Sequence, residues 1–507
     1  MTTSAPLPSK PKLSVQAFWL TLSKFIAAIF NIALPILLVR MLSQHDYGVY
    51  KQAFLFSATA ANLATFGVGL SAFYYMPRQP QRGGQIALNI LVYNAMAGLV
   101  PLLVLLFYPQ ALNLVFRTGD LQPYAILLGI GVMLTLTSVL VELMPTALQD
   151  VRSSTLFVVG TNLVRSALVL GAALLFRTVR ALILASICSA AISVLVLFRY
   201  LHRRFGRFWS HFDWHFFGEQ LSYALPLGAY GVIYVIRKDL DNYFVSALYK
   251  PSEYAIYAIG WLEVPLISLF LESVAAVMVV RVSALQHEGR VEDIRRVMAS
   301  AINRLAAVQF PMYAILLVAG HDLIVLFYTK TYEASWHIFA VTITLIPLNV
   351  FLYDPVVRAY KHLRKFVLFI RIGVLLSLLL GLTPIIRHFG LIGAAVTAVL
   401  ADLTERLIVG TKVWRTVGGS AQDLSLFADL LRVVGVTFVA ALASYSVRLL
   451  TGTQPLMVAI AAMGLSFAAL YITGFYLFRL PGWETISREH LAQILQSATS
   501  RLRNAMS

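Results

Sequence analysis

The sequence predicts an all-α polytopic membrane protein of about 14 transmembrane helices, built as two parallel-repeat six-helix lobes plus two extra helices. Three observations lead there. Of the 507 residues, 59% are hydrophobic and only 12% charged, whereas soluble domains carry about 25% charged residues. Apolar runs of roughly 20 residues, long enough to cross a bilayer core, recur along the whole chain. Two short motifs of the first half return in the same order in the second half.

The runs are continuous rather than alternating, which favours helical spans over a β-barrel. They fall near 15–39, 52–75, 86–108, 123–145, 156–176, 181–198, 217–248, 254–280, 305–328, 335–357, 366–386, 390–411, 428–450 and 455–478. The first exceeds a signal-peptide core and no small-residue cleavage site follows it, so it is read as a retained span. The tail after Pro481 places Leu491, Ile494, Leu495, Ala498 and Leu502 at helical spacing. That spacing fits either a helix lying on the membrane face or a solvated tail.

The repeat is carried by Asp46-Tyr47-Gly48-Val49-Tyr50, echoed as Glu253-Tyr254-Ala255-Ile256-Tyr257. The second echo pairs Ala147-Leu148-Gln149-Asp150-Val151-Arg152 with Ala359-Tyr360-Lys361-His362-Leu363-Arg364. Both are offset by six spans, an even number, so the halves share orientation and are related by an axis along the membrane normal. The expected division is 1–212 for the first lobe, 213–416 for the second and 417–507 for spans thirteen and fourteen with the tail. The repeated acids are expected to cap the helices that follow, and the tyrosines to sit in the interfacial aromatic belt.

Alternate loops separate by charge, with about 26 Lys and Arg in one set against about 9 in the other, an asymmetry that places the first set, and both termini, in the cytoplasm. The net charge of +17 is therefore an orientation signal and not a nucleic-acid footprint. A single cysteine, Cys188, leaves no disulfide framework and no cysteine metal cluster. No phosphate-binding loop and no HExxH metal motif occurs. No cofactor is expected. Asp239-Leu240-Asp241 resembles the paired aspartates of metal-dependent glycosyltransferases only at the level of a chance triplet. The short outer loops offer no place for the large catalytic loop expected of a glycan polymerase or ligase.

An ionisable side chain in hydrocarbon is costly, by about 2.5–3.5 kcal/mol on insertion scales, so those within spans face a partner or a wet cavity. Lys24, Arg165, Arg237, Lys238, Asp239 and Asp241 are the candidate substrate contacts, and Glu142, Glu263, Glu272 and Asp354 the candidate coupling acids. Arg165, near the middle of its span, suits a phosphate because its fork of donors matches phosphate oxygens; a salt bridge to Glu142 is the alternative. Arg237 and Asp241 are spaced for a local ion pair or for a cavity wall, Lys24 for a cavity or for snorkelling. Asp402 and Arg406 are expected to pair with each other. Asn31, Asn62, Asn89, Asn94, Asn162, Tyr230, Tyr234 and Asn242 could meet sugar hydroxyls, though amides on such helices also join them.

The stretch from Leu38 to Tyr50 with Phe66-Gly67-Val68-Gly69-Leu70, the Tyr223-Ala224-Leu225-Pro226-Leu227 opening of span seven, the Lys250–Gly260 turn and Gly390-Leu391-Ile392-Gly393-Ala394-Ala395 together resemble the polysaccharide transporter (oligosaccharide flippase) family. That family belongs to the multidrug/oligosaccharidyl-lipid/polysaccharide exporter superfamily. The resemblance implies a flippase of two six-helix lobes that moves a polyprenyl-diphosphate-linked oligosaccharide across a bacterial cytoplasmic (inner) membrane by alternating access. Its partners would be the lipid-linked oligosaccharide, the bilayer, and glycan polymerases or ligases; it would not itself be an enzyme. A cation-coupled multidrug or small-solute exporter of the same superfamily, and a membrane glycan polymerase or ligase, remain open at this point.

Overall fold

A computed structural model describes residues 13–481 apart from 211, 263, 421 and 452–453, with backbone only at 13–21, 227, 230, 266 and 424. The polar N-terminal segment and the tail expected to form an amphipathic helix lie outside the described residues. Among those residues the chain is helical throughout, without a strand, as an environment that offers no water to free backbone groups requires.

The chain divides into two compact units, Met1–Ala258 and Ile259–Ser507. The first contains α1 (Leu13–Leu38), α2 (Gln44–Thr65), α3 (Ser71–Arg78), α4 (Gly83–Phe107), α5 (Ala111–Val115), α6 (Ala125–Ser138), α7 (Leu140–Ala147), α8 (Val151–Leu175), α9 (Val179–Phe205) and α10 (Trp214–Leu248). Helix α11 (Pro251–Gly260) begins in the first unit and ends in the second. The second unit continues with α12 (Pro265–His287), α13 (Val291–Tyr328), α14 (Ser335–Thr342), α15 (Leu345–Leu348), α16 (Asp354–Ala359), α17 (Lys361–Thr416), α18 (Ala428–Leu450) and α19 (Leu456–Leu477). Among the described residues nine helices are long and apolar enough to cross a membrane, ten if the bent pair Gln44–Thr65 and Val68–Arg78 counts as one span. Large apolar side chains such as Phe107, Leu195, Leu380, Phe438 and Leu465 stand exposed, a surface that suits lipid and not water.

Several spans are discontinuous. The second bends by 54° where Phe66 and Gly67 adopt left-handed backbone, φ 42° and 69°. The eighth is interrupted between α11 and α12, and the tenth unwinds between α15 and α16. Helix α17 is two helices meeting at Gly390, whose φ of 65° and ψ of −153° are open to glycine. The second repeat occupies equivalent turns in both copies. Helix α7 ends at Ala147 and α8 starts at Val151, just as α16 ends at Ala359 and α17 starts at Lys361.

The first repeat departs from expectation in an instructive way. Ser43 caps α2 by accepting from the Asp46 N–H at 3.0 Å, while its hydroxyl donates to the Asp46 carboxylate at 2.6 Å. Asp46 thus braces the cap and does not make it. In the second copy Glu253 accepts from the Lys250 N–H at 3.1 Å, as expected. The tyrosines are not at a membrane interface. Tyr47, Tyr50, Tyr254 and Tyr257 are all buried, because each motif forms the first turns of a packed helix.

Within the first unit α2 and α10 run antiparallel and touch at the backbone. A Cβ on Gly48 would lie 1.8 Å from the Pro251 carbonyl oxygen, and one on Gly228 would lie 1.8 Å from that of Phe66. The two repeat motifs therefore abut through a glycine. Helix α10, the first element of the second repeat by sequence, packs here against α2 and α3. Gly48→Ala and Gly228→Ala should each lower the melting temperature of the detergent-solubilised protein, at a cost of about 1–3 kcal/mol for overpacking. Gly160→Ala, with open space at its Cβ, should be neutral or raise it. Melting of Gly48→Ala at the wild-type temperature would contradict the close approach.

Candidate functional site

Helix α2 has two working faces. Thr59 and Gly48 look toward α10 and α11, whereas Phe54, Ser57, Ala58, Ala61 and Asn62 line a cavity of about 370 Å³ bounded by α6 to α9. The spacing of three and four residues among the cavity-lining set, and of eleven between Gly48 and Thr59, is what one face of a helix allows. The cavity wall is mostly apolar, with polar groups from Asn62, Thr161, Asn162, Glu142, Arg165 and a series of serines on α9.

Arg165 and Glu142 thus reach one cavity, but not as an ion pair. The Glu142 carboxylate accepts from the Thr161 hydroxyl at 3.1 Å, and the charge of Lys24 acts on it from α1. The Arg165 guanidinium lies 5.1 Å from the centre of the Phe54 ring. Among the described residues it makes no ion pair. A planar cation laid on an aromatic face keeps its in-plane N–H donors available. Phe54 was not singled out in the sequence; an aromatic on a span reads as lipid-facing until a cation is seen above it.

The α10 charges form a second group. The Thr59 hydroxyl donates to Asp239 at 2.5 Å. Asp241 is buried, at 4% exposure, and its carboxylate accepts from the Tyr257 hydroxyl at 2.6 Å. Arg237 is half-buried and Lys238 exposed. A repeat-motif tyrosine thereby holds a candidate site acid, a link the sequence alone did not show. Glu272 lies exposed on α12 and Asp354 at the start of α16, both in the second unit; Glu263 lies outside the described residues.

Two of the amides proposed for sugar join helices instead. Asn89 donates to Gln220 at 3.2 Å, Gln220 in turn to Ser71 at 2.7 Å, and Asn94 donates to the Leu136 carbonyl at 2.8 Å. Asn62 and Asn162 remain in the cavity. The Tyr230 side chain lies outside the described residues.

The second unit holds charged networks that loop counting missed. Arg371, near the start of the span expected at 366–386, is buried in α17 and donates to Glu405 at 3.0 Å; the Tyr353 hydroxyl joins the same carboxylate at 3.2 Å. Asp354 stands 3.9 Å from Arg371. Asp402 pairs with Arg406, as its spacing suggested, and Arg406 also donates to Asn349 at 2.8 Å. Asp322 on α13 takes both ends of the Arg448 fork on α18. Among the described residues no group of His, Cys, Asp and Glu is placed to hold a metal.

A multi-pass helical bundle with broken spans and an ionisable cavity among its helices has the architecture of a membrane transporter. The chain matches the model of the polysaccharide biosynthesis protein family over residues 37–337, more than half its length, and it belongs to that family. None of the curated proteins matches it. Among solved structures it resembles the lipid II flippase MurJ in an inward closed conformation, with a TM-score of 0.68 and 13% identity over 92% of this chain and 98% of that one. It also resembles an inward-facing multidrug resistance MATE transporter of the MOP superfamily, with a TM-score of 0.58 and 14% identity over 77% and 94%. A superfamily transporter from Pyrococcus furiosus, described as having a binding pocket of reversed polarity, gives 0.56 and 15% over 81% and 97%. At these identities the likeness is one of fold.

Removing one partner of a buried pair leaves a stranded charge, at about 3–5 kcal/mol, whereas replacing both with apolar groups is often neutral. Arg371→Leu should therefore destabilise the protein strongly in a thermal melt, and Arg371→Leu with Glu405→Leu should recover most of the loss. Additive losses in the double variant would show that the two residues act separately.

Proposed function

We propose that the protein is a flippase that carries a polyprenyl-diphosphate-linked oligosaccharide from the inner to the outer leaflet of a bacterial cytoplasmic membrane, by alternating access, in the synthesis of a surface polysaccharide. Family membership, and a fold shared with a protein described as a lipid II flippase, support this reading. The observation that carries it is Arg165: a guanidinium within a span, over the Phe54 ring, without an ion pair among the described residues, lining a cavity edged by amides and hydroxyls. A diphosphate supplies the missing anion, and Asn62, Asn162 and the serine hydroxyls offer donors and acceptors to sugar.

Lys24, Arg237 and Lys238 extend the cationic path on α1 and α10. Asp239 and Asp241, each held by a hydroxyl donor, and Glu142, Glu263, Glu272 and Asp354 are the groups through which a cation or proton gradient would couple. The charge asymmetry of the loops supports cytoplasmic termini. Glycan polymerases or ligases acting on the outer leaflet would receive the product. The reading needs no bond-making chemistry from the chain.

Deletion of the gene should cause inward-facing lipid-linked oligosaccharide to accumulate, measured by leaflet-selective labelling and mass spectrometry of extracted lipids. Wild type should clear it. Arg165→Ala should not, and Arg165→Lys should do so only in part, because an ammonium lacks the planar fork. Full clearance by Arg165→Ala would remove the phosphate contact. If clearance instead fails only with Asp239→Asn or Glu142→Gln, a cation-coupled small-solute exporter becomes the better account.

A further inference from the structure

A second cationic aromatic feature stands apart from the Arg165 cavity, at the end of the broken second span. Helix α3 presents Tyr74 and Tyr75 to the start of α10. The Tyr74 ring stacks on Tyr223 at 4.3 Å and 26°. Tyr75 sets its edge against Tyr74, Tyr223 and Phe216, at 5.0, 5.7 and 5.5 Å. Over the outer face of this cluster lies Arg78, its guanidinium 3.9 Å from the Tyr74 ring centre and one of its nitrogens bonded to the Tyr74 carbonyl at 2.9 Å.

The same turn carries an internal control. Arg82 also lies on a ring, 4.2 Å from Phe216, but its donors are engaged: one meets Gln85 at 2.8 Å and another the Asp213 carboxylate at 2.9 Å. Asp213 is in turn fixed as the cap of α10, accepting from the His215 and Phe216 N–H groups at 3.0 and 3.2 Å. Those N–H bonds, that of Phe216 foremost, and the nearby Arg82 charge hold its carboxyl below the usual carboxylate range. Arg82 is thus a structural cation. Arg78 is exposed and makes no ion pair among the described residues.

Positioning an exposed arginine flat on a tyrosine that is itself stacked on a second helix restrains a side chain that would otherwise be mobile, and the restraint lowers the entropy lost on binding a planar anion. The neighbouring rings of Tyr223 and Tyr75 offer apolar surface beside the guanidinium against which a sugar ring can rest. We infer that Arg78, on its Tyr74–Tyr223 stack, is a docking site for the diphosphate and first sugar of the lipid-linked substrate, where that substrate is captured before it reaches Arg165. The inference rests on the flippase reading, and on the loop sidedness that puts Arg78 at the cytoplasmic face. The shared chemistry is a lipid phosphate anion; we assign the prenyl diphosphate, and an ordinary anionic phospholipid is the competing source.

Full-length protein in nanodiscs of neutral lipid would be titrated with farnesyl diphosphate bearing one N-acetylglucosamine, and separately with phosphatidylglycerol, by microscale thermophoresis. Arg78→Ala should weaken the sugar-diphosphate probe about tenfold, as expected for loss of charge-assisted bonds. Arg78→Lys should weaken it in part, and Tyr74→Leu or Tyr223→Leu by a similar factor to Arg78→Ala, with phosphatidylglycerol bound weakly by all. Size-exclusion profiles matching wild type would show that the variants fold, and Tyr74→Phe, which keeps the ring, should bind as wild type does. Wild-type affinity in Arg78→Ala, with Arg165→Ala impaired, would overturn the docking site and leave the flippase reading intact. Failure of the wild type to bind the probe would overturn both. Equal loss of phosphatidylglycerol and probe in Arg78→Ala would assign the site to bulk lipid instead.

Discussion

Charge inside hydrocarbon must be matched, and the ways this chain matches it organise both of its units. Arg371 with Glu405 and Tyr353, Arg448 with Asp322, and Arg406 with Asp402 are cations met by acids on the same or a neighbouring helix. Asp239, Asp241 and Glu142 are met by hydroxyls from Thr59, Tyr257 and Thr161. Arg165 lies over the ring of Phe54 and makes no ion pair among the described residues.

Helix α2 connects this electrostatic arrangement to the architecture. One of its faces borders the Arg165 cavity and the other is approached so closely, by Pro251 of α11 at Gly48 and by Gly228 of α10 at Phe66, that only glycine fits at Gly48 and Gly228. Its far end turns through left-handed backbone at Phe66 and Gly67 and leads into α3, where Tyr74 and Arg78 stand. A displacement of α2 relative to α10 would act on the cavity, on the Thr59–Asp239 bond and on the Arg78 cluster together. Discontinuous spans are suited to such movement, because each break confines the backbone change to a few residues.

Composition and run length made the membrane class legible, since neither depends on tertiary contacts. The repeats were legible as well, and Glu253, Gly67 and Gly390 behave as local sequence rules say. What escaped depends on partners far apart in sequence. Arg371 was not singled out among the charges within spans, and only the fold brings Glu405 to it. Asp322 and Arg448 find each other across the second unit. Tyr257 reads as an interfacial tyrosine until Asp241 is seen beneath its hydroxyl. The interruptions between α11 and α12 and at 349–353 are marked by Pro265 and Pro355 but were hidden inside apolar runs. Among the candidate site residues, Arg165 and Glu142 share a cavity as one branch of the sequence reading allowed, without the direct salt bridge of the other.

The central claim is that this chain moves a lipid-linked oligosaccharide between leaflets, and reconstitution tests it most directly. Purified protein would be placed in liposomes carrying a prenyl-diphosphate oligosaccharide, with the fraction exposed outside followed over time by an impermeant glycosidase. The account predicts protein-dependent exposure of the inner-leaflet pool at a rate well above that of empty liposomes, and much slower exposure with Arg165→Ala. An inner pool that stays protected while the same vesicles transport small organic cations down or against an ion gradient would contradict it.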